Sequence, residues 1–271
     1  VTHVLAPYRC QLIGHMALRK VLESPDVGFI MSPSDYGDRQ IGGASGLMSA
    51  TDSVKLHGKV FVDQADLRTY HSTQDIGRLP SLADSKAGWI RHFANTLVSG
   101  VSEQIYDFSM GWTSGDPRLM QLMGKLQKIE KRMMNVSRNK TTDDSIAVIV
   151  DEKSTFYTDM ASWIHLETVA TQYTALARTG VGFDIYLLDD LPRMPQYKCY
   201  LFLNTFRITK DQQQFIDRKL KKDGKTLIFV YAPGITDGDK LLPYRISEIT
   251  CIDMDILERE IPLHCKISAS S

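Results

Sequence analysis

The sequence predicts an α/β protein with parallel strands, and three observations carry that expectation. Short apolar runs of strand length alternate with longer stretches of helical periodicity along most of the chain. Polar and glycine-rich material gathers after the strands rather than before them. No apolar run approaches the ~20 residues that a membrane span needs.

With 271 residues the chain has room for one large domain or two ordinary ones. Its 32 basic and 32 acidic residues balance, which disfavours an electrostatic grip on nucleic acid or on anionic lipid. Cys10, Cys199, Cys251 and Cys265 lack CxxC spacing, so they read as ordinary buried thiols rather than a zinc site or a disulfide framework. The chain opens at Val1 without an initiator methionine or a signal-peptide pattern, which leaves the compartment open.

The first element is a helix over 14–22 with Met16, Leu18, Val21 and Leu22 as its apolar stripe, stopped by Ser24-Pro25-Asp26. A buried strand over 27–31 is followed by a polar loop over 32–58, long enough to imply a function. A strand over 59–62 then ends abruptly in Asp63, Gln64, Asp66, Arg68 and Tyr70, the pattern of a strand that delivers chemistry at its carboxyl end. The helix over 85–99 places Trp89, Ile90, Phe93, Ala94, Leu97 and Val98 on one face, with Gly100 as its stop and His92 on the solvated side. A strand over 101–108 leads through 111–115 to Asp116-Pro117, an N-cap with proline at the first helical position, and a helix to about 134. Three strand-loop-helix units are not the eight of a (β/α)8 barrel, so a barrel reading gives this chain only its last part.

Residues 135–144 read as a linker. Beyond them come strands over 146–150, 183–188, 199–203 and 226–230, a helix over 159–179 with Trp163 in its stripe, and a helix over 210–222. This alternation predicts a doubly wound, flavodoxin- or Rossmann-like domain, a class that by itself assigns no function. A dinucleotide site is not indicated, because Asp151-Glu152-Lys153-Ser154 follows the first of these strands where GxGxxG belongs. A glutaminase nucleophile is not indicated either, because the 199–203 strand ends in Asn204-Thr205 and Cys199 stands at its other end. The remaining segment, 246–271, carries a strand-like stretch over 249–252 and reads as incomplete.

Many short motifs in order resemble one family. Gly14-His15-Met16-Ala17-Leu18, Ser24-Pro25-Asp26-Val27, Ser32-Pro33-Ser34-Asp35-Tyr36, Gly42-Gly43, Lys55-Leu56-His57-Gly58-Lys59, Asp66-Leu67-Arg68-Thr69 and Tyr106-Asp107-Phe108 to Trp112 are similar to glycoside hydrolases related to the family 42 β-galactosidases. Pro195-Gln196-Tyr197-Lys198, Phe202-Leu203-Asn204 and Tyr231-Ala232-Pro233-Gly234 resemble the glutaminase-like trimerisation domain that follows the barrel in those enzymes. The resemblance implies the C-terminal part of a TIM barrel over 1–134, the trimerisation-type domain over 143–245, a carbohydrate substrate and a homotrimer. His57, His71 and His92 do not form a ligand spacing, so no metal site is argued, and no cofactor is expected.

The resemblance also implies a retaining glycosidase, whose two carboxyl groups stand about 5–5.5 Å apart. The 59–62 strand would be the seventh of the barrel. The acid/base glutamate belongs to the end of the fourth, outside this chain. The motif Glu-x-Asp-x-Arg-Thr puts Gln64 at the nucleophile position, and an amide cannot attack as a carboxylate does. Either Asp63 or Asp66 takes that role or the site is degenerate. Trp112 could stack on a sugar ring or pack the barrel mouth. Tyr36, Arg39 and Asp107 occupy loop positions suited to sugar hydroxyls, with a surface salt bridge as the alternative for Arg39. Arg68 could orient Asp66 or pin the loop. Three classes of function remain: a carbohydrate-active enzyme, a non-catalytic sugar-binding protein and an oligomerisation module.

Overall fold

Helical segments separate the strands, and all strand pairing in the two sheets is parallel. The computed structural model describes residues 14–107, 111–133, 145–159, 162–254 and 256. The first sheet holds β1 (Phe29–Ser32), β2 (Val60–Ala65) and β3 (Ser102–Ile105) side by side in chain order. Phe29 pairs with Val60 and Ser32 with Asp63, while Val62 pairs with Ser102 and Ala65 with Ile105. The second sheet contains β4 (Ser145–Val150), β5 (Gly182–Leu187), β6 (Cys199–Phe202) and β7 (Thr226–Phe229) in the order β5-β4-β6-β7.

Local signals explain the helices between them. α1 (Leu18–Glu23) and α2 (Thr51–Leu56) are short. The Ser81 hydroxyl accepts the Asp84 N–H at 3.1 Å and starts α3 (Leu82–Ser99), which Gly100 ends in the left-handed region at φ 67°. α4 (Pro117–Met133) begins after Asp116, whose carboxylate accepts the Arg118 N–H at 2.8 Å. In the second unit a π-helical stretch, Leu166–Thr171, runs into α5 (Gln172–Ala177). α6 (Lys210–Phe215) opens on a capping box from Thr209 and Gln212 and passes into a π-helical stretch, Ile216–Leu220. α7 (Tyr244–Thr250) is the last described helix.

The two sheets share one core. Leu18, Leu22, Ile30, Val54 and Phe61 pack in the same cluster as Val148, Val150, Ile185, Leu187 and Leu203. Each such side chain, once buried, contributes about 1.5–3 kcal/mol. The opposite face of β4 and β6 packs Ile149, Tyr200 and Phe202 against Ile216, Leu220 and Ile249, so the second sheet is covered on both faces.

Polar side chains complete this junction. The Asp52 carboxylate accepts the Ile185 N–H and the Ser53 hydroxyl accepts the Leu187 N–H, each at 2.8 Å, along the outer edge of β5. The Glu152 carboxylate accepts the Leu18 and Arg19 N–H groups, capping α1 from the other unit. Burial pushes the Glu152 pKa up. Asp190, fully buried, receives both the Arg19 guanidinium and the His57 ring, the latter at 2.9 Å.

Several expectations are corrected here. The 32–58 stretch is not one loop, because it holds a 3-10 turn at Tyr36–Asp38 and α2. β2 runs on to Ala65, so Asp63 and Gln64 lie within the strand rather than beyond it. The stripe that α3 buries contains Ser85, Gly88, Trp89, His92 and Thr96, while Ile90 and Val98 face solvent. His92 is therefore a core residue. The helix expected over 159–179 is described only from about His165, and Trp163 is 73% exposed. The strand-like 249–252 stretch forms no strand: Ile249 and Thr250 end α7, in which Ile246 and Ile249 are buried one turn apart, and Cys251 is its left-handed C-cap. Cys199 is half-buried and Cys251 exposed. The expected linker at 135–144, Cys10 and Cys265 lie outside the described residues. No helix among the described residues is long and apolar enough to cross a membrane.

Gly46 fixes how closely the units approach. A Cβ there would stand 2.1 Å from the ring of Tyr173. Gly46→Ala is expected to displace that ring and destabilise the protein by about 1–3 kcal/mol, read as a lower urea midpoint. An unchanged midpoint would mean that the contact relaxes freely.

Candidate functional site

β2 sorts its side chains by alternation. Phe61, Asp63 and Ala65 are buried on one face, while Val60, Val62 and Gln64 belong to the other and remain exposed or half-exposed. Asp63 and Gln64, adjacent in sequence, therefore face opposite ways. The Gln64 face also carries Phe29 and Met31 from β1, register partners of Val60 and Val62. Phe29 is 57% and Val60 51% exposed and Met31, Val62 and Gln64 are half-buried, so among the described residues this face is less covered than parallel sheets ordinarily are.

Asp63 points into α3. Its carboxylate meets the His92 ring nitrogen Nε2, and both side chains are fully buried. Glu103 on β3 stands 4.0 Å from the same nitrogen, and the Thr96 hydroxyl donates to its carboxylate at 3.1 Å. Burial pushes the Glu103 pKa up. The Ser45 hydroxyl is 3.5 Å from His92 Nδ1.

Beyond the strand, Asp66 is gripped from the loop after β1. The Arg39 guanidinium pairs with the Asp66 carboxylate, donates to the Asp66 carbonyl at 3.0 Å and donates to the Ser34 carbonyl at 2.7 Å. Arg39 is fully buried and Asp66 2% exposed, so this is an interior pair rather than a surface bridge. The Tyr36 hydroxyl donates to Asp66 at 2.7 Å, and Arg39 lies 4.0 Å from the Tyr36 ring centroid. Burial, and then that hydrogen bond to Asp66, push the Tyr36 hydroxyl up to about 12.

α3 holds the loop in place. Arg91 donates to the carbonyls of Arg39, Gln40 and Gly43, and Asn95, one turn later, donates to those of Ala44 and Ser45.

The remaining expected residues lie further out. Arg68 donates to the Ile76 carbonyl and sits 5.4 Å from the Tyr36 ring; Arg39, not Arg68, is the partner of Asp66. Asp107 accepts the Thr113 N–H, the Ser114 N–H at 2.8 Å and the Ser114 hydroxyl at 2.6 Å, which anchors the 111–115 turn. Trp112 is 4% exposed, and its carbonyl accepts the Thr69 hydroxyl. The structure thus brings Tyr36, Arg39, Arg68 and Asp66 together and keeps Asp63 and Gln64 apart.

A second polar cluster escapes sequence reading. Buried Asp116 accepts from Tyr70 and Arg118 and meets His71 at 3.1 Å. Hydrogen bonds from Arg118 and Tyr70 hold its carboxyl well below the usual range. Only the Asp116-Pro117-Arg118 run hints at it, and that run also reads as a simple helix start. Among the described residues no group of three or more His, Cys, Asp and Glu could hold a metal.

No family model, curated protein or solved structure matches the chain.

Removing either member of the Asp63–His92 pair strands the other in the core. His92→Leu is expected to cost about 3–5 kcal/mol in urea unfolding, and Asp63→Leu combined with it to recover a large part of the loss. Simple additivity of the two single losses would show that the pair is uncoupled.

Proposed function

We propose that this chain is part of a glycoside-hydrolase-like protein related to the β-galactosidases. In this reading β1, β2 and β3 are consecutive strands of a (β/α)8 barrel. The second sheet is a doubly wound, trimerisation-type domain. The observation that supports the reading is the partly uncovered face of the first sheet, with half-buried Gln64 on it near the carboxyl end of the central strand. A barrel fills such a face with inward side chains of its other strands and collects its chemistry at that end. Under this proposal Gln64 occupies the nucleophile position, and the acid/base belongs to strands outside this chain.

A second reading has its own support. Neither nearby carboxylate is available as a substitute nucleophile: Asp63 is turned away to His92, and Asp66 is held by Arg39 and Tyr36. An amide at position 64 can hydrogen-bond a sugar hydroxyl but cannot form a glycosyl ester. The protein would then bind carbohydrate without cleaving it.

Purified 271-residue chain is expected to hydrolyse no aryl β-galactoside. Hydrolysis that disappears on Asp66→Ala would overturn this. In the complete barrel, turnover gained by Gln64→Glu would support the enzyme-derived reading, and sugar binding without turnover in either form would support the second.

A further inference from the structure

We propose that the outward face of α4 binds an anionic polysaccharide laid along the helix. The choice of a sugar polymer rests on the carbohydrate reading above, whereas the choice of an anion rests on α4 alone. This helix sorts its residues by side. Leu119, Met123 and Leu126 form the buried stripe and pack with Trp89 of α3. Glu130, the one acidic residue of Pro117–Met133, lines the cavity that Glu103 and Thr96 also line. Lys125, Lys128 and Arg132, spaced by three and four residues, share the face opposite that stripe, with Lys131 beside them, and all four are exposed.

These four cations are uncommitted. Arg118, in the first turn, is held by Asp116 and does not belong with them. Among the described residues Lys125, Lys128, Lys131 and Arg132 make no ion pair or hydrogen bond. No acidic residue stands three or four positions from any of them along the chain. Lys128 instead has cations at positions 125, 131 and 132, each about one turn away. Like charges at that spacing weaken a helix, and a bound anion relieves the repulsion.

Shape and spacing select the kind of anion. The face is the convex side of a single helix, so it has no walls to enclose a small ion. Positions 125 to 132 span about 10 Å, with neighbouring cations about one 5.4 Å turn apart. That repeat is close to the length of one sugar unit in an extended chain, so acid groups on successive units meet successive cations. No aromatic side chain of α4 offers bases a stacking platform. The 32 basic and 32 acidic residues of the whole chain supply no broad positive field for a duplex. In the barrel reading the face stays accessible, because the helices form the outer ring.

The test uses the full chain and a fluorescent oligogalacturonate long enough to span α4, with the neutral galacto-oligosaccharide of equal length as control. Anisotropy at low salt is expected to show binding of the uronate and at least about tenfold weaker binding of the neutral sugar. Added salt should weaken the uronate complex, because it screens exposed charges. Lys125→Glu with Lys128→Glu changes only exposed side chains, so the fold should persist by circular dichroism, and uronate binding should weaken about tenfold or more. The milder Lys125→Gln with Lys128→Gln should weaken it in the same direction. Four results would overturn the proposal: no binding of the uronate at low salt, equal binding of the neutral sugar, binding indifferent to the lysine changes, or binding of duplex DNA or phosphatidylserine vesicles as tight as that of the uronate. Gln64→Ala separates this proposal from the reading it rests on. Uronate binding that falls with Gln64→Ala and survives the lysine changes would overturn the α4 assignment and leave the carbohydrate site standing. Uronate binding that falls with the lysine changes supports the assignment, even where no neutral galactoside binds.

Discussion

The alternation of side chains along β2 is the constraint from which the rest of the first unit follows. One face of this strand gives Phe61 to the core shared with the second sheet and Asp63 to His92 on α3. The other carries Val60, exposed, and Val62 and Gln64, half-exposed. A slip of one residue would exchange the faces, moving a carboxylate away from its buried partner and an amide into the core. The Asp63–His92 contact penalises that slip, because a buried polar group left without its partner costs free energy. Together with the Arg39–Asp66 pair just past the strand, it fixes both register and strand end.

Polar atoms do much of the assembly work. Glu152 caps a helix of the other unit, Asp52 and Ser53 satisfy the edge of β5, and Arg91 with Asn95 holds five loop carbonyls. Each of these groups is aimed at backbone that would otherwise be unsatisfied away from water. The hydrophobic cluster supplies cohesion between the units, and these directed bonds supply orientation.

The strands of the second sheet were legible in sequence because they are buried runs such as Ile146-Ala147-Val148-Ile149-Val150, where an apolar string of strand length has few alternatives. The start of α4 was legible from Asp116-Pro117. α2 was not, because the faces it buries carry Thr51, Asp52 and Ser53, and Asp52 and Ser53 accept from backbone groups more than 130 residues away. His92 was misread for a related reason: its helix turns Ser85, Gly88 and Thr96 inward and leaves Ile90 and Val98 in water. At the candidate site the residue types were legible and their pairing was not. Arg68 stands two residues from Asp66 in sequence, but the loop after β1 returns to place Arg39 on it. Local spacing carries no record of such a return.

The capping of β5 has a consequence for how this chain could be divided. A protease nick or gene truncation that removed α2 would leave the outer edge of β5 open. The N–H groups of Ile185 and Leu187 would face solvent along a strand whose residues from Asp184 to Leu187 are all buried in the intact protein. Such a strand is a nucleus for aggregation. Asp52 and Ser53 thus act as a solubility guard for a domain to which, in sequence, they do not belong.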